Sequence, residues 1–271
     1  MEIKDIQKIL FVSSSFIEKL EKEGIIETKK IEDNLIYKVF LCDLLLKDNK
    51  IKIDDLKDIN KLKGIYPNLS KCIEKTMKLE LNLSDKLNYF GKEIGKFKVE
   101  KVEFDKEEIV VKGKVKPGEL SKFNGYEEKY KIKCKGVKEY KVESNEIGFL
   151  NIYNEHILLK DYNEDMYSLS FNGSASDLNE IEDKIKNVFN NEMDYLRNIE
   201  RYIGYDKSVK SIIKAGFGTF AYGPESIMGL FKSILDEYKI KSGLIKEQDK
   251  EKLKVIIMDG SYIICEEINV K

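Results

Sequence analysis

The sequence predicts an α+β protein with a helical N-terminal part and a larger C-terminal part that combines an antiparallel sheet with helices. Three observations predict this class. Apolar residues recur at helical spacing over most of residues 3–62. From Phe97 onward they alternate with polar residues, as in half-buried strands. Helical spacing returns after Ser176 and is followed by a hairpin pattern over residues 254–265. We therefore expect three segments, 1–62, 63–95 and 96–271.

The composition is that of a folded protein. Of the 271 residues, 42% are hydrophobic and 36% are charged, and there are only 3 prolines. No apolar run is long enough to span a membrane, and the first residues lack a signal-peptide pattern, so we expect a cytoplasmic protein without a membrane partner. Four distant cysteines and a single histidine argue against disulfides, a metal site or a bound cofactor.

The pattern of the N-terminal segment predicts two helices separated by a turn. The first, over residues 3–10, places isoleucines on one face, and the second, over residues 14–23, begins at a serine cluster and stops at Gly24. Residues 27–38 then form two short β-prone arms around Asp33-Asn34, as in a wing. Helical spacing resumes at Val39 and again over residues 53–62.

These elements carry a family resemblance. The stretch Val12-Ser13-Ser14-Ser15-Phe16-Ile17-Glu18-Lys19-Leu20-Glu21-Lys22-Glu23-Gly24-Ile25-Ile26, followed by Tyr37 and Asp43-Leu44, resembles winged helix-turn-helix domains of the MerR and excisionase type. The resemblance covers residues 1–62 and implies double-stranded DNA as a partner, bound as a homodimer. The residues that it implies for phosphate contact are Ser13, Ser14, Ser15, Lys19, Lys22, Lys29, Lys30 and Lys38.

Two departures from the family pattern oppose DNA binding. Glu18 occupies the position of the family's recognition-helix arginine. Residues 1–60 contain 11 lysines against 13 aspartates and glutamates, whereas counterion release makes most DNA-reading domains basic. The alternative is a module that serves only for packing or dimerisation.

The remaining pattern predicts a linking helix over residues 69–77 and then the α+β region. Leu79, Leu81 and Leu83 alternate, which is compatible with a strand after the linking helix. The predicted strands are 97–104, 109–115, 130–134, 140–142, 149–152, 156–159 and 167–171. The predicted helices follow Ser176, cover residues 193–203 and follow Pro224.

Lysines alternate with apolar residues in two of these strands. One set is Lys112, Lys114 and Lys116, and the other is Lys129, Lys131, Lys133 and Lys135. If the two strands are neighbours, the sheet has a basic face, and residues 96–142 carry 14 lysines against 9 acidic residues. An acidic protein partner would bind it through Lys112, Lys114, Lys131 and Lys133. The alternative is an ordinary solvated outer face.

Two further features have structural and functional interpretations. Residues 216–224 are rich in glycine and aromatic residues but lack the Lys-Ser or Lys-Thr of a phosphate-binding loop, so they predict a tight bend, with a ligand pocket as the alternative. His156 is expected in a structural or surface role, the alternative being a pair with Asp161 or Asp165. No catalytic motif is present, so we do not expect an enzyme.

Two functional hypotheses follow from the sequence. The first is a DNA-associated transcriptional regulator whose C-terminal region senses a ligand or a protein. The second is a protein-interaction factor, inhibitor-like or immunity-like, that binds an acidic partner without binding DNA.

Overall fold

The computed structural model describes residues 2–28, 32, 34–117, 123, 125–143, 145–204 and 206–271. These residues form a mixed α+β protein, as the sequence predicts, with three antiparallel sheets. The chain has two compact units. The first comprises Met1–Ile152, Ile256–Ile263 and Ile268–Lys271, and the second comprises Tyr153–Val255 and Ile264–Glu267. The three segments expected from the sequence divide the chain differently, and their boundaries stay a prediction.

The elements of the N-terminal half are helices followed by strands. The α-helices are α1 (Ile3–Leu10), α2 (Ser14–Lys22), α3 (Leu35–Lys47), α4 (Ile59–Ile65), α5 (Ser70–Met77) and α6 (Leu83–Ile94), with short 3-10 helices at Ile53–Lys57 and Pro67–Leu69. The strands are β1 (Lys96–Asp105), β2 (Glu108–Lys116), β3 (Glu128–Lys135), β4 (Glu139–Lys141), β5 (Glu146–Ile147) and β6 (Leu150–Tyr153).

The C-terminal half alternates helices and strands. In chain order it contains a 3-10 helix at Ile157–Leu159, α7 (Lys160–Asn163), β7 (Met166–Asn172), α8 (Leu178–Met193), α9 (Glu200–Ile203), α10 (Val209–Lys214), β8 (Phe217–Pro224), α11 (Glu225–Glu237) and β9 (Lys241–Gln248). The last strands are β10 (Lys254–Met258), β11 (Ser261–Cys265) and β12 (Glu267–Val270).

The five-stranded sheet of the first unit has the order β12-β3-β2-β1-β5. The predicted strands β1, β2 and β3 are confirmed, and the β1–β2 hairpin turns where the sequence predicts it, between Asp105 and Glu108. Gly113 lies in the middle of this sheet, where a Cβ atom would stand 2.2 Å from the Lys98 carbonyl oxygen and 2.6 Å from the Phe97 ring. Only glycine therefore fits at this crossing.

A four-stranded sheet with the order β4-β11-β10-β6 lies mainly in the same unit. The sequence predicts its central hairpin, β10 and β11, from the Asp259-Gly260 turn between two apolar runs, and the structure confirms it. The turn requires left-handed backbone, with φ of 40° at Asp259 and 79° at Gly260.

Helix α3 replaces the second arm of the predicted wing. Residues 35–38, expected as a β-prone arm, are the first turn of this helix. The helix is buried around most of its circumference, so its apolar residues show no one-sided helical stripe, and a short apolar run of this kind does not distinguish helix from strand. The first arm includes residues 29–31, which lie outside the described residues.

Helix α6 begins at Leu83, where the alternation of leucines was compatible with a strand. Asn82 caps it, since the Asn82 side chain accepts from the Asp85 N–H at 2.9 Å and the Asp85 carboxylate accepts from the Asn82 N–H at 3.1 Å. This reciprocal capping box was readable in the sequence. The alternation of Leu79, Leu81 and Leu83 concealed it, because only Leu83 belongs to the helix.

The second unit is a three-stranded sheet with one helical layer. Its order is β8-β7-β9, with β7 antiparallel to both neighbours. Helices α8 and α11 pack together, and their buried side chains meet those of the sheet in one core. Phe220 of β8 contacts Phe231 of α11, with ring centroids 5.8 Å apart. The opposite face of the sheet carries Ser168, Tyr222 and Ile245 in one row.

Three expectations for this unit were wrong, and one strand was missed. Residues 217–224 form strand β8 instead of a tight bend, with Gly223 required because a Cβ would lie 2.6 Å from the Tyr202 ring. Residues 157–159 form a 3-10 helix instead of a strand. The predicted helix over 193–203 is helical only at Glu200–Ile203, because two successive left-handed residues, Asp194 and Tyr195, end α8. Strand β9 was not predicted.

Candidate functional site

The serine cluster lies at the start of α2. Helices α1 and α2 are joined by residues 11–13, and Phe11 adopts a left-handed conformation with φ of 53° that ends α1. Ser13 caps α2, because its Oγ accepts from the backbone N–H of Phe16 at 3.2 Å. Ser13, Ser14 and Ser15 are exposed. The serines therefore start the helix as predicted and also face solvent.

The exposed face of α2 divides into two flanks. At 100° per residue, Ser15, Lys19 and Lys22 fall along one line of the helix, and Ser14, Glu18 and Glu21 fall along a neighbouring line. Thr28 donates a hydrogen bond from its hydroxyl to the Glu21 carboxylate. We call the line of Ser15, Lys19 and Lys22 the basic flank. The lysines of α2 therefore lie on the basic flank, and the carboxylates of Glu18 and Glu21 lie on the neighbouring line.

The other residues implied for DNA contact are placed differently. Lys38 lies on α3 and is only partly exposed, and this desolvation lowers the pKa of its ammonium group. Lys29 and Lys30 lie outside the described residues. The structure thus places five of the eight residues together, in α2 and at its cap.

The lysines of the five-stranded sheet form cross-strand rows. In the β1–β2–β3 register, Lys114 lies between Lys98 and Lys129, and Lys112 lies between Lys101 and Lys131. Directly opposite residues of antiparallel strands share a face, so these six lysines occupy one surface. We call this surface the lysine face. The structure therefore confirms that the two strands carrying the lysine sets, β2 and β3, are neighbours in the sheet.

Carboxylates neutralise much of the lysine face. Glu103 binds Lys101 at 2.8 Å and Lys112 at 2.9 Å, and these two ammonium groups lower the Glu103 pKa to about 2. Lys114 pairs with Glu100 at 3.2 Å. Lys133, opposite Val110, pairs with Glu108 at 2.7 Å.

The unpaired lysines lie on β3. Among the described residues, Lys129 and Lys131 have no ion-pair partner, whereas Lys112 and Lys133 each have one and Lys114 has two, Glu100 and Glu127. The positive charge left over on the lysine face is therefore concentrated on this strand. Of the four lysines expected to bind a partner, Lys131 alone is left without a carboxylate in the described part of the chain.

The inner face of the same sheet holds a buried polar network that the sequence did not predict. Lys86 of α6 is 4% exposed, and its Nζ donates to both Glu128 oxygens at 2.9 and 3.1 Å and to the Tyr130 hydroxyl at 2.8 Å. Tyr37 of α3 donates to Glu128 at 2.9 Å. We call Tyr37, Lys86, Glu128 and Tyr130 the inner network.

The inner network joins three elements of the first unit. The Lys86 ammonium lies 4.9 Å from the centre of the Tyr37 ring and 5.4 Å from that of Tyr130. Burial, with Glu128 nearby, raises the pKa of Tyr37 far above its ordinary value, so this phenol stays a donor. One signal was present in the sequence, since Glu128 and Tyr130 alternate with the outward lysines of β3.

A cavity with a volume of about 810 Å³, within the range of small-molecule sites, lies in the second unit. Apolar side chains of Ile157, Leu159 and Leu253 contribute to its lining. Its remaining lining residues are Asn154, Glu155, His156, Lys160, Asn163, Glu164, Glu192, Lys250, Glu251, Lys252 and Lys254.

One wall of this cavity is fixed by an asparagine. Asn163 donates from Nδ2 to the Leu253 carbonyl at 2.9 Å, and its Oδ1 accepts from the Leu253 N–H at 2.8 Å. The N–H of Glu251 donates to the Tyr162 carbonyl at 2.6 Å. The segment before β10 is thereby held against α7, so the wall is formed before any ligand arrives.

The charged groups of the cavity are partly engaged. Lys160 pairs with Glu192 and lies 3.3 Å from the Ser226 hydroxyl. Glu164 accepts from the Ser226 N–H at 2.9 Å in the first turn of α11. No residue that the structure describes forms a side-chain ion pair with Lys250, Lys252 or Lys254.

His156 makes neither of the pairs considered from the sequence. Its Nδ1 accepts from the Leu158 N–H at 3.2 Å, and its ring lies 5.3 Å from that of Tyr153. Asp165 instead binds Lys246 at 2.7 Å. Partial burial lowers the His156 pKa, so the imidazole is neutral at pH 7 with its proton on Nε2.

Both arginines of the chain converge on Asp161, a cluster that the sequence did not reveal. The Asp161 carboxylate lies 2.9 Å from Arg201 Nε and 3.5 Å from Arg197 Nε, and it accepts from the Tyr202 hydroxyl at 2.6 Å. Asp161 and Arg197 are almost fully buried. Their charges serve packing within the second unit and are not presented to solvent.

The described residues contain no group of three or more metal-ligating side chains. All four cysteines are buried and unbridged, and burial raises the pKa of the Cys42 thiol to about 12, which keeps it unreactive. Among the helices that the structure describes, none has the length and apolar character needed to cross a bilayer.

Comparisons with known proteins give no match: no family model, curated protein or solved structure corresponds to this chain.

Proposed function

We propose that this protein is a DNA-associated regulator whose first two helices contact duplex DNA through the basic flank of α2. The observation that supports the proposal is the alignment of Ser15, Lys19 and Lys22 on one exposed line of a helix that starts at an exposed serine cap. A helix N-terminus with hydroxyl groups and two lysines on one side suits a phosphate backbone. The carboxylates of Glu18 and Glu21 lie on the neighbouring flank.

The proposed contacts differ from those that the resemblance to MerR-type and excisionase-type domains implies. The helix-turn-helix part and the serine cap are retained, whereas the second wing arm is replaced by the first turn of α3. Contacts are therefore assigned to α2 and its cap, without a contribution from Lys38.

Fluorescence anisotropy with a labelled duplex tests this assignment. We expect Lys19→Glu with Lys22→Glu to abolish binding at 50 mM salt, because two phosphate contacts become repulsive. Single Lys→Ala changes at either position should lower the slope of log K against log salt by about 1 each. Lys207→Glu with Lys214→Glu, at two exposed sites outside α2, makes the same charge change elsewhere and should leave binding intact. Equal losses in both variants would contradict contact through α2.

The cavity of the second unit supports the sensor part of the proposal. It combines apolar side chains, a preformed wall and charged groups, as small-molecule sites do. His156 is the only histidine, so its imidazole gives one unambiguous NMR signal. Benzoate and benzylammonium, which share a ring and differ in charge, should shift this signal unequally. An unchanged signal with both probes would remove the cavity from the proposal.

A second candidate function is supported by the lysine face. Two rows of three lysines cross β1, β2 and β3, and like charges directly opposite one another destabilise a sheet unless an anion screens them. An acidic protein partner would supply that anion, and the unpaired Lys129 and Lys131 are its expected contacts. This candidate corresponds to an interaction factor that does not bind DNA.

Pull-down with the tagged chain separates the two functions. Lys131→Glu with Lys129→Glu should remove an acidic partner and leave duplex binding unchanged. Lys112→Glu with Lys133→Glu is the matched control, since these two lysines are already paired with Glu103 and Glu108 and contribute less free charge. Loss of duplex binding in the Lys129 and Lys131 variant would assign the lysine face to DNA instead.

A further inference from the structure

An apolar pocket lies within the first unit and shares no lining residue with the cavity of the second unit. Its volume is about 560 Å³, within the range of small-molecule sites. Residues of α3, α5 and α6 line it, together with Leu69, with Lys96 at the start of β1 and with Gly148 after β5. The pocket is therefore bounded by separate segments of the chain, as a site for a small molecule is.

Most side chains of the pocket lining are apolar. They include Phe40, Leu41, Leu44, Leu69, Leu87 and Phe90. Phe40 and Phe90 are almost fully buried, and their rings meet edge to face with centroids 6.1 Å apart. Leu44 and Leu69, by contrast, are 43% and 38% exposed. The buried part of the lining is thus a fixed apolar surface, and the two leucines at its solvent side would be covered by an apolar ligand.

The charged groups and the amide of the lining already have structural roles. The Asn88 amide donates to another side-chain amide at 2.8 Å, Lys96 lies 3.8 Å from Glu146, and Glu93 also has an interaction partner. Lys92 lies in the last turn of α6, where an ammonium group complements the negative end of the helix dipole. No lining side chain in the described part of the chain has a buried polar atom without a partner. The pocket therefore does not call for a charged head group.

Gly91 of α6 leaves space in the pocket that a side chain would fill. Glycine inside a helix lowers its stability relative to alanine, so such a position needs a reason. A Cβ atom on Gly91 would meet nothing closer than the Gly148 carbonyl oxygen at 3.8 Å, an ordinary van der Waals distance. Close packing therefore does not require glycine here. Because Gly91 lines the pocket, its missing side chain instead enlarges the space for a ligand.

We propose that this pocket binds a small uncharged apolar molecule, such as an alkylbenzene. Apolar cavities lined by leucine and phenylalanine take up ligands of this kind. An organic ion of the same shape is disfavoured, because its charge would lose water without gaining a partner in the pocket. The site involves neither α2, nor the lysine face, nor the cavity of the second unit, so it stands independently of the proposed function.

Isothermal titration calorimetry of the full chain with toluene tests the proposal. The wild-type chain should show saturable binding. Gly91→Leu puts a strong helix former into α6 and fills the pocket, so the dissociation constant should rise by at least about tenfold. Gly229→Leu makes the same change in α11, where a Cβ would meet nothing within 4 Å, and should leave binding unchanged. Benzoate and benzylammonium, which add a charge to the ring, should bind at least about tenfold more weakly than toluene.

Leu69→Lys is a second variant, at a side chain exposed enough to be replaced without disturbing the core, and it should also weaken toluene binding. It keeps the test decisive if Gly91→Leu does not fold, which thermal unfolding of each variant reveals. A wild-type chain without saturable toluene binding would overturn the proposal. So would unchanged affinity in folded Gly91→Leu or in Leu69→Lys, because the toluene would then bind elsewhere. Tighter binding of benzoate or benzylammonium than of toluene would reject an uncharged ligand.

Discussion

The two faces of strand β3 use charged side chains in opposite ways. On the inner face, Glu128 is enclosed with Lys86, Tyr37 and Tyr130, and each polar group has a partner at hydrogen-bond distance. On the outer face, Lys129 and Lys131 stand opposite other lysines and remain in solvent. The contribution of a charged side chain in this sheet to the free energy of unfolding therefore depends on its burial. Water screens the outer charges, whereas it is excluded from the inner ones.

The largest effect should come from breaking the inner network. Lys86→Ala leaves the Glu128 carboxylate buried without its cation, so we expect the free energy of unfolding to fall by about 3–5 kcal/mol. Denaturant unfolding measures it.

The matched control is Lys86→Met with Glu128→Leu, which removes both charges while keeping much of the side-chain volume. It should recover a large part of the loss. A change below about 1 kcal/mol for Lys86→Ala would mean that water reaches Glu128 and that the inner face is not a dry environment.

A second test concerns the backbone that separates the two faces. Gly113→Ala puts a Cβ within 2.2 Å of the Lys98 carbonyl oxygen, so β1 and β2 must move apart, and we expect a loss of about 1–3 kcal/mol. Gly243→Ala is the control, because its Cβ would meet only the Ser170 hydroxyl at 3.5 Å. Thermal unfolding of both variants should show a clear drop for the first alone; similar melting temperatures would contradict the close crossing at Gly113.

On the outer face the same kind of change should have little effect on stability. Lys131→Glu replaces a like-charge pair with Lys112 by an opposite-charge pair, so stability should rise by a few tenths of a kcal/mol. Lys133→Ala breaks the half-exposed pair with Glu108 and should cost less than about 1 kcal/mol. Denaturation midpoints in low salt measure both changes. A loss of several kcal/mol in either variant would show that the lysine face is buried against something.

The smallest expected effect is on the pH dependence of unfolding. The Lys101 and Lys112 ammonium groups lower the pKa of Glu103 in the folded chain from 4.5 to about 2. Its contribution is therefore present above pH 4.5 and is lost as the pH falls through about 2. Glu103→Gln should flatten the stability profile slightly in that window. Parallel profiles for the wild type and Glu103→Gln would contradict the pairing.

Much of the strand structure was readable because alternation reports a half-buried surface directly. The lysines of β2 and β3 alternate with Ile109, Val111, Ile132 and Cys134, so both the strands and their outward face followed from period two. The Ser13 cap was readable for a similar local reason, since a serine side chain bonds to the backbone three residues later.

The misassigned elements share a different cause. α3 is enclosed on most sides, and β8 is rich in glycine and packs tightly against Tyr202, so neither shows the one-sided pattern from which sequence predictions are made. Strand β9 carries lysine, glutamate and glutamine along its exposed length and therefore resembles a loop. It becomes a strand because β7 supplies backbone partners from a distant part of the chain.

The sequence by itself determined the α+β class, the main antiparallel strands, the start of α2 and the alternation that sends lysines to one side of β2 and β3. The folded structure alone shows that Lys86 contacts Glu128, that both arginines contact Asp161 and that β9 is an edge strand. The first group depends on neighbours within a few residues, which periodicity and caps report. The second depends on contacts between residues tens of positions apart, and these exist only after the chain has folded.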